Sequence, residues 1–139
     1  MKLTAFLREV PLVGLVALAY ALAALGGADV PERVLMTFTL PSGAAWALSV
    51  GELLLLFGLL ALYIEIYKAT RTVQSTVLDH ILSLGVFVAC LLAFLLARPL
   101  GTPTFLLIAV LALLDVIAGF TVTISSARRD ISYTDERPR

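Results

Sequence analysis

Apolar residues run along this chain in four long stretches, separated by short polar or proline-containing segments. A helix that crosses the hydrocarbon core of a bilayer needs about 20 mostly apolar residues. Each stretch comes close to that length. The pattern therefore predicts four membrane-spanning helices, at about residues 11–28, 44–67, 77–97 and 104–125.

The segments between the predicted spans are short, and antiparallel helices joined by short loops form up-down bundles. We therefore expect an all-α membrane protein, an up-down bundle of four transmembrane helices that makes residues 1–139 a single integral membrane domain. Its connections are an outer loop at 29–43, a cytoplasmic loop at 68–76 and a cytoplasmic tail at 127–139.

The outer loop carries a second, shorter periodicity. Between Pro31 and Pro41, apolar side chains recur at every other residue from Val34 to Leu40. A period of two predicts a short extended segment. We expect this segment to fold over the outer end of the bundle, to lie on the membrane surface or to dock on a partner.

Composition agrees with the membrane assignment. Hydrophobic residues make up 60% of the chain and charged residues 14%, against about 45–50% and about 25% in soluble domains. The formal net charge is zero, and there is no basic block to bind a phosphate backbone. These values exclude a soluble globular protein, a disordered protein and a nucleic-acid-binding protein.

The basic residues predict the orientation. Eight lie before the first predicted span, between the second and third, or after the fourth; only Arg33 and Arg98 lie on the other side. The positive-inside rule then puts both termini and the 68–76 loop in the cytoplasm. The eight are Lys2, Arg8, Lys68, Arg71, Arg128, Arg129, Arg137 and Arg139.

An alternative for the first stretch is a cleaved signal peptide. Lys2 and Arg8 precede its apolar run, and small residues at 23–28 follow. The run is long for such a peptide, and its removal would leave three spans. We therefore expect it to be the first membrane span.

Two acids fall inside predicted spans, where a charge that faces lipid costs about 2.5–3.5 kcal/mol. Counted from the outer end of each span, Glu52 lies about 12 Å deep and Asp115 about 16 Å deep. No lysine or arginine lies at that depth. The acids should therefore face the bundle interior or a partner. We expect them there to stay neutral and hydrogen-bond between helices, to form a proton or cation site, or to meet a positive group from another subunit.

Small residues near these acids indicate close helix–helix contacts, in which the polar groups would form hydrogen bonds between the helices. Tyr20, at mid-depth in the first span, could donate a hydrogen bond to a carboxylate. Ser49 shares a helical face with Glu52. The small residues expected to pack helices together are Ala19, Ala23, Gly27, Ala112 and Gly119.

The remaining reactive residues point to no chemistry. Cys90 and His80 are each unique, which excludes an internal disulfide and a bis-histidine haem within the chain. We interpret His80 as an interfacial histidine at a helix end, and Glu65 with Lys68 as a surface charge pair. We predict no catalytic residue, no metal site and no cofactor, leaving open bound lipids or pigments held by partner subunits.

The function that fits these features best is a small accessory or scaffolding subunit of a larger membrane complex, rather than an enzyme. Its partners would be membrane lipids and other integral membrane subunits, and no nucleic acid. The alternative is a homo-oligomeric small transporter or channel that uses Glu52 and Asp115 as a proton or cation site. The excess of arginine over lysine, with abundant alanine and leucine, indicates a bacterial inner-membrane protein.

Overall fold

The structure, a computed structural model, describes residues 11–71 and 77–135, with side chains over 11–70 and 80–125. These residues are mostly helical. Their four α-helices are α1 (Leu12–Gly26), α2 (Val50–Arg71), α3 (Val77–Leu96) and α4 (Pro103–Asp135), and a 3-10 turn, Arg98–Leu100, joins α3 to α4.

Two helices are long and apolar enough to cross a membrane. They are α2 over Val50–Thr70 and α4 over Pro103–Ser125. Helix α1 and the described stretch His80–Leu96 of α3 are also apolar but shorter. Helix α4 continues to Asp135, so much of the segment predicted as a tail is helical.

A β-hairpin precedes α2. Strand β1 (Val34–Thr39) pairs in antiparallel fashion with β2 (Ala45–Ser49), and Gly43 takes a positive φ of 83° in the turn between them. Strand β1 is the extended segment that the period-two pattern predicts. Strand β2 occupies residues predicted to begin the second span. That helix starts at Val50, because the backbone before it pairs with β1.

Helix α4 lies at the centre of the fold, in contact with α1, α2 and α3. Its side chains Phe105, Ile108, Ala109 and Ala112 are buried. Helix α2 approaches α4 closely at Gly58, where an added Cβ would lie 2.9 Å from Leu111 Cδ1. The core is therefore organised around one apolar helix.

Helices α1 and α2 run antiparallel, and so do α3 and α4. The start of α1 meets the later part of α2, where Leu12 bonds to Glu65. The described start of α3 meets α4 beyond its middle, where His80 bonds to Thr123. Large apolar side chains are exposed on the outer surfaces of all four helices, among them Leu22, Leu60, Leu96 and Leu107. Such a surface suits hydrocarbon better than water.

Candidate functional site

Glu65, on α2, is the buried acid among the side chains that the structure describes, with 6% of its surface exposed. Its Oε1 accepts a hydrogen bond from the backbone N–H of Leu12, and the N–H of Val13 interacts with the same carboxylate. The first N–H groups of a helix have no partner within the helix. Pro11 supplies no side-chain cap to α1. A carboxylate from a neighbouring helix therefore caps α1.

The second oxygen of this carboxylate has no such partner. Glu65 Oε2 is buried and accepts no hydrogen bond. Asp115, half-buried on α4, is close enough to interact electrostatically with Glu65, as is the ammonium group of Lys68 one turn along α2. We call Glu65 and Asp115 the acid pair. It lies where α1, α2 and α4 meet.

The interpretation of Glu65 and Lys68 as a surface pair is wrong for Glu65. This residue is buried and hydrogen-bonded to the backbone of α1. Helix α2 is apolar on every side, so its sequence gives no sign of which face turns towards α1. The interaction between Glu65 and Lys68 itself is present.

Glu52 occupies a different position from the one predicted. It lies in the first turn of α2 and is exposed. Its Oε2 accepts hydrogen bonds from the backbone N–H (2.8 Å) and the Oγ (3.1 Å) of Ser49, while its own N–H donates to Ser49 Oγ (3.2 Å). This reciprocal pattern is a capping box. Glu52 is the third residue of α2 rather than a residue well inside a span that starts at 44, because the helix begins at Val50.

Tyr20 packs between helices but does not contact a carboxylate. Only 1% of its surface is exposed. Its hydroxyl shares a hydrogen bond of 2.6 Å with Thr102 Oγ1, and its ring lies 5.3 Å from that of Phe105. Thr102 Oγ1 also accepts the N–H of Phe105, at 3.2 Å. The hydrogen bond of Tyr20 thus links α1 to Thr102, the residue that precedes α4.

The small residues predicted to pack helices fall into two groups. Ala112 is buried, and Gly119 lies against α3, where an added Cβ would meet His80 Nδ1 at 3.0 Å. Ala19 is exposed, while Ala23 and Gly27 are half-buried. The packed face of α1 consists instead of Val13, Ala17, Tyr20 and Ala24.

His80 joins α3 to α4 next to Gly119. Its Nε2 lies 2.9 Å from Thr123 Oγ1, and its ring stacks on Phe120 at a centroid distance of 4.9 Å. The half-buried imidazole therefore has both a polar and an aromatic partner on α4. This geometry gives His80 a role in packing two helices.

A groove of about 200 Å³ lies between α1 and α3, with Phe105 of α4 among its lining residues. Its walls are apolar and mostly small, and include Gly14, Ala17, Ala21, Ala89 and Ala93. The groove could hold an apolar chain but offers no polar group to orient one. We therefore take the acid pair as the candidate site for chemistry.

Within the described residues, no group of three or more histidine, cysteine, aspartate or glutamate side chains is placed to hold a metal ion. Comparisons of the chain with protein-family models, with curated proteins and with solved structures found no match.

Proposed function

We propose that this chain is an accessory subunit of a larger membrane complex, and that it docks on another integral membrane subunit through its β-hairpin. All four helices cross the bacterial inner membrane in this proposal, with both termini in the cytoplasm. The antiparallel contacts of α1 with α2 and of α3 with α4 support this arrangement, as does the eight-to-two distribution of basic residues.

The observation that carries the proposal is the amphipathic register of the hairpin. Directly opposite residues of antiparallel strands point to the same face of a sheet. Met36 pairs with Leu48 and Phe38 with Trp46, so these four large apolar residues share one face. The opposite face carries Thr37, Thr39, Ala45 and Ala47. We call the former the apolar hairpin face.

The apolar hairpin face is open. Met36 is 52% exposed, and Phe38 and Trp46 are each 44% exposed, with their rings stacked at 5.8 Å. Large exposed apolar patches mark interaction surfaces. Strand β2 leads directly into α2, so the hairpin lies at the end of a helix long enough to cross a membrane.

The hairpin edges favour a protein partner over lipid. The sheet has two strands, so the outer edge of each presents backbone N–H and C=O groups without a strand partner. Lipid tails cannot satisfy such groups. An extended segment of another polypeptide can pair with an open edge while its side chains cover the apolar face.

Mild-detergent extraction followed by native mass spectrometry tests this function. We expect the wild type to carry other integral membrane chains. The double variant Phe38→Thr/Trp46→Thr should lose them, whereas Ala47→Thr, on the opposite face, should keep them. The proposal is refuted if the wild type is recovered without other membrane chains, or if the wild type and both variants retain those chains equally.

A second candidate is a homo-oligomeric transporter or channel. The acid pair favours it, since Asp115 lies near a buried carboxylate, but that carboxylate is Glu65 and not Glu52. The same mass measurement separates the candidates: copies of this chain alone would favour transport, and other chains would favour the accessory role.

A further inference from the structure

We propose that the acid pair, Glu65 and Asp115, is a binding site for one monovalent cation, either a proton or Na⁺. The site does not depend on the docking proposal, because it lies among α1, α2 and α4 and uses no hairpin residue. Its test reads cation binding by the isolated chain, so either proposal can fail while the other stands.

The first observation is the orphaned oxygen. Glu65 Oε1 is occupied by the N–H of Leu12, whereas Oε2 is buried without a donor in the part of the chain that the structure describes. A buried carboxylate oxygen that nothing satisfies is costly. A proton or a small cation at Oε2 would remove that cost and leave the bond to Leu12 in place.

The second observation is the local charge. Asp115 adds a second carboxylate and Lys68 one ammonium group. Helix α1 brings no charged side chain, since Leu12–Gly26 contains none, and α4 brings only Asp115 over Pro103–Ser125. When both carboxyl groups are ionised, these side chains carry one uncompensated negative charge, which one bound monovalent cation balances.

The geometry also explains why Glu52 does not share this role. The carboxylate of Glu52 is exposed and bonded to Ser49 at the start of α2. Glu52 therefore provides a matched control: an acid on the same helix, at its other end.

The test uses the purified full chain in a mild detergent. Its thermal midpoint is followed while NaCl replaces choline chloride at constant ionic strength, and separately across a pH series. The variants are Glu65→Gln, Asp115→Asn and, as control, Glu52→Gln. A glutamine at 65 still offers an oxygen to the N–H of Leu12, and circular dichroism checks that each variant keeps its helices.

Two results support the site. A Na⁺ site gives a saturable rise of the wild-type midpoint with NaCl, which Glu65→Gln and Asp115→Asn lose or at least halve, and which Glu52→Gln keeps. A proton site gives a pH dependence of the midpoint that the same two variants lose, with no response to NaCl. The proposal is overturned if the thermal midpoints of the wild type, Glu65→Gln and Asp115→Asn respond alike to NaCl and pH. If one amide variant loses helix content, the other carries the test, and an unchanged response in it would again overturn the site.

Discussion

The carboxylate of Glu65, near the end of α2, accepts a hydrogen bond from the backbone N–H of Leu12, the first residue of α1 and 53 positions earlier in the chain. One side chain thus caps a helix and joins two helices. It also places the orphaned Oε2 near Asp115 of α4. The start of α1 is thereby fixed against the rest of the bundle.

Removing the Glu65 carboxylate should destabilise this junction. We expect Glu65→Ala to lower the free energy of unfolding by about 1–3 kcal/mol, because the N–H of Leu12 loses its acceptor. Glu65→Gln should cost less, since its amide oxygen still accepts. Unfolding in mixed micelles measures both values. Equal losses in the two variants would contradict a capping role.

Tyr20 and Thr102 should be energetically coupled. Tyr20→Phe removes one partner of a buried hydrogen bond and should cost about 1 kcal/mol. Thr102→Val should cost more, because it also removes the acceptor of the Phe105 N–H. A double-mutant cycle should give a non-zero interaction energy. Simple additivity would show that the hydroxyls do not interact.

The contact of His80 with Gly119 can be tested by adding a methyl group. Gly119→Ala should destabilise the chain, because its Cβ would lie 3.0 Å from His80 Nδ1 and displace the ring from Phe120. Gly85→Ala is the matched control, since nothing lies within 4 Å of its Cβ. Helix propensity predicts a gain of up to about 1 kcal/mol there. Equal effects at both sites would refute the close contact.

The proposed orientation predicts which residues a membrane-impermeant thiol reagent reaches in intact cells. In a Cys90→Ala background, Ser42→Cys in the hairpin turn should react from outside. Thr70→Cys, near the end of α2, should react only after the cells are permeabilised. Both residues are exposed in the fold. The reverse pattern would invert the topology.

Hydropathy along the sequence locates the four helices but neither the start of α2 nor the end of α4. Residues Ala45–Ser49 are as apolar as the helix that follows, so a window average includes them in the span. Two local signals mark the boundary. The turn at Gly43 lies between two runs suited to strands, and Ser49 with Glu52 has the spacing of a capping box.

The acid pair could be predicted only in part. Asp115 stands out as a charge deep in an apolar stretch. Glu65 does not, because Lys68 three residues later resembles a surface partner. Its burial depends on how α1 packs against α2, and that contact joins residues far apart in sequence. The sequence does not mark Ala19 as exposed for a related reason: α1 has almost no polar residues to indicate its outer face.

Site-specific photocrosslinking can identify what the apolar hairpin face contacts in the membrane. A photoreactive residue is placed at Phe38, on that face, or at Thr37, on the opposite one, in native membranes. If this face docks on another membrane subunit, position 38 gives a crosslink to another integral membrane polypeptide and position 37 gives little or none. Crosslinks to lipid alone, or equal crosslinking from both positions, would contradict it.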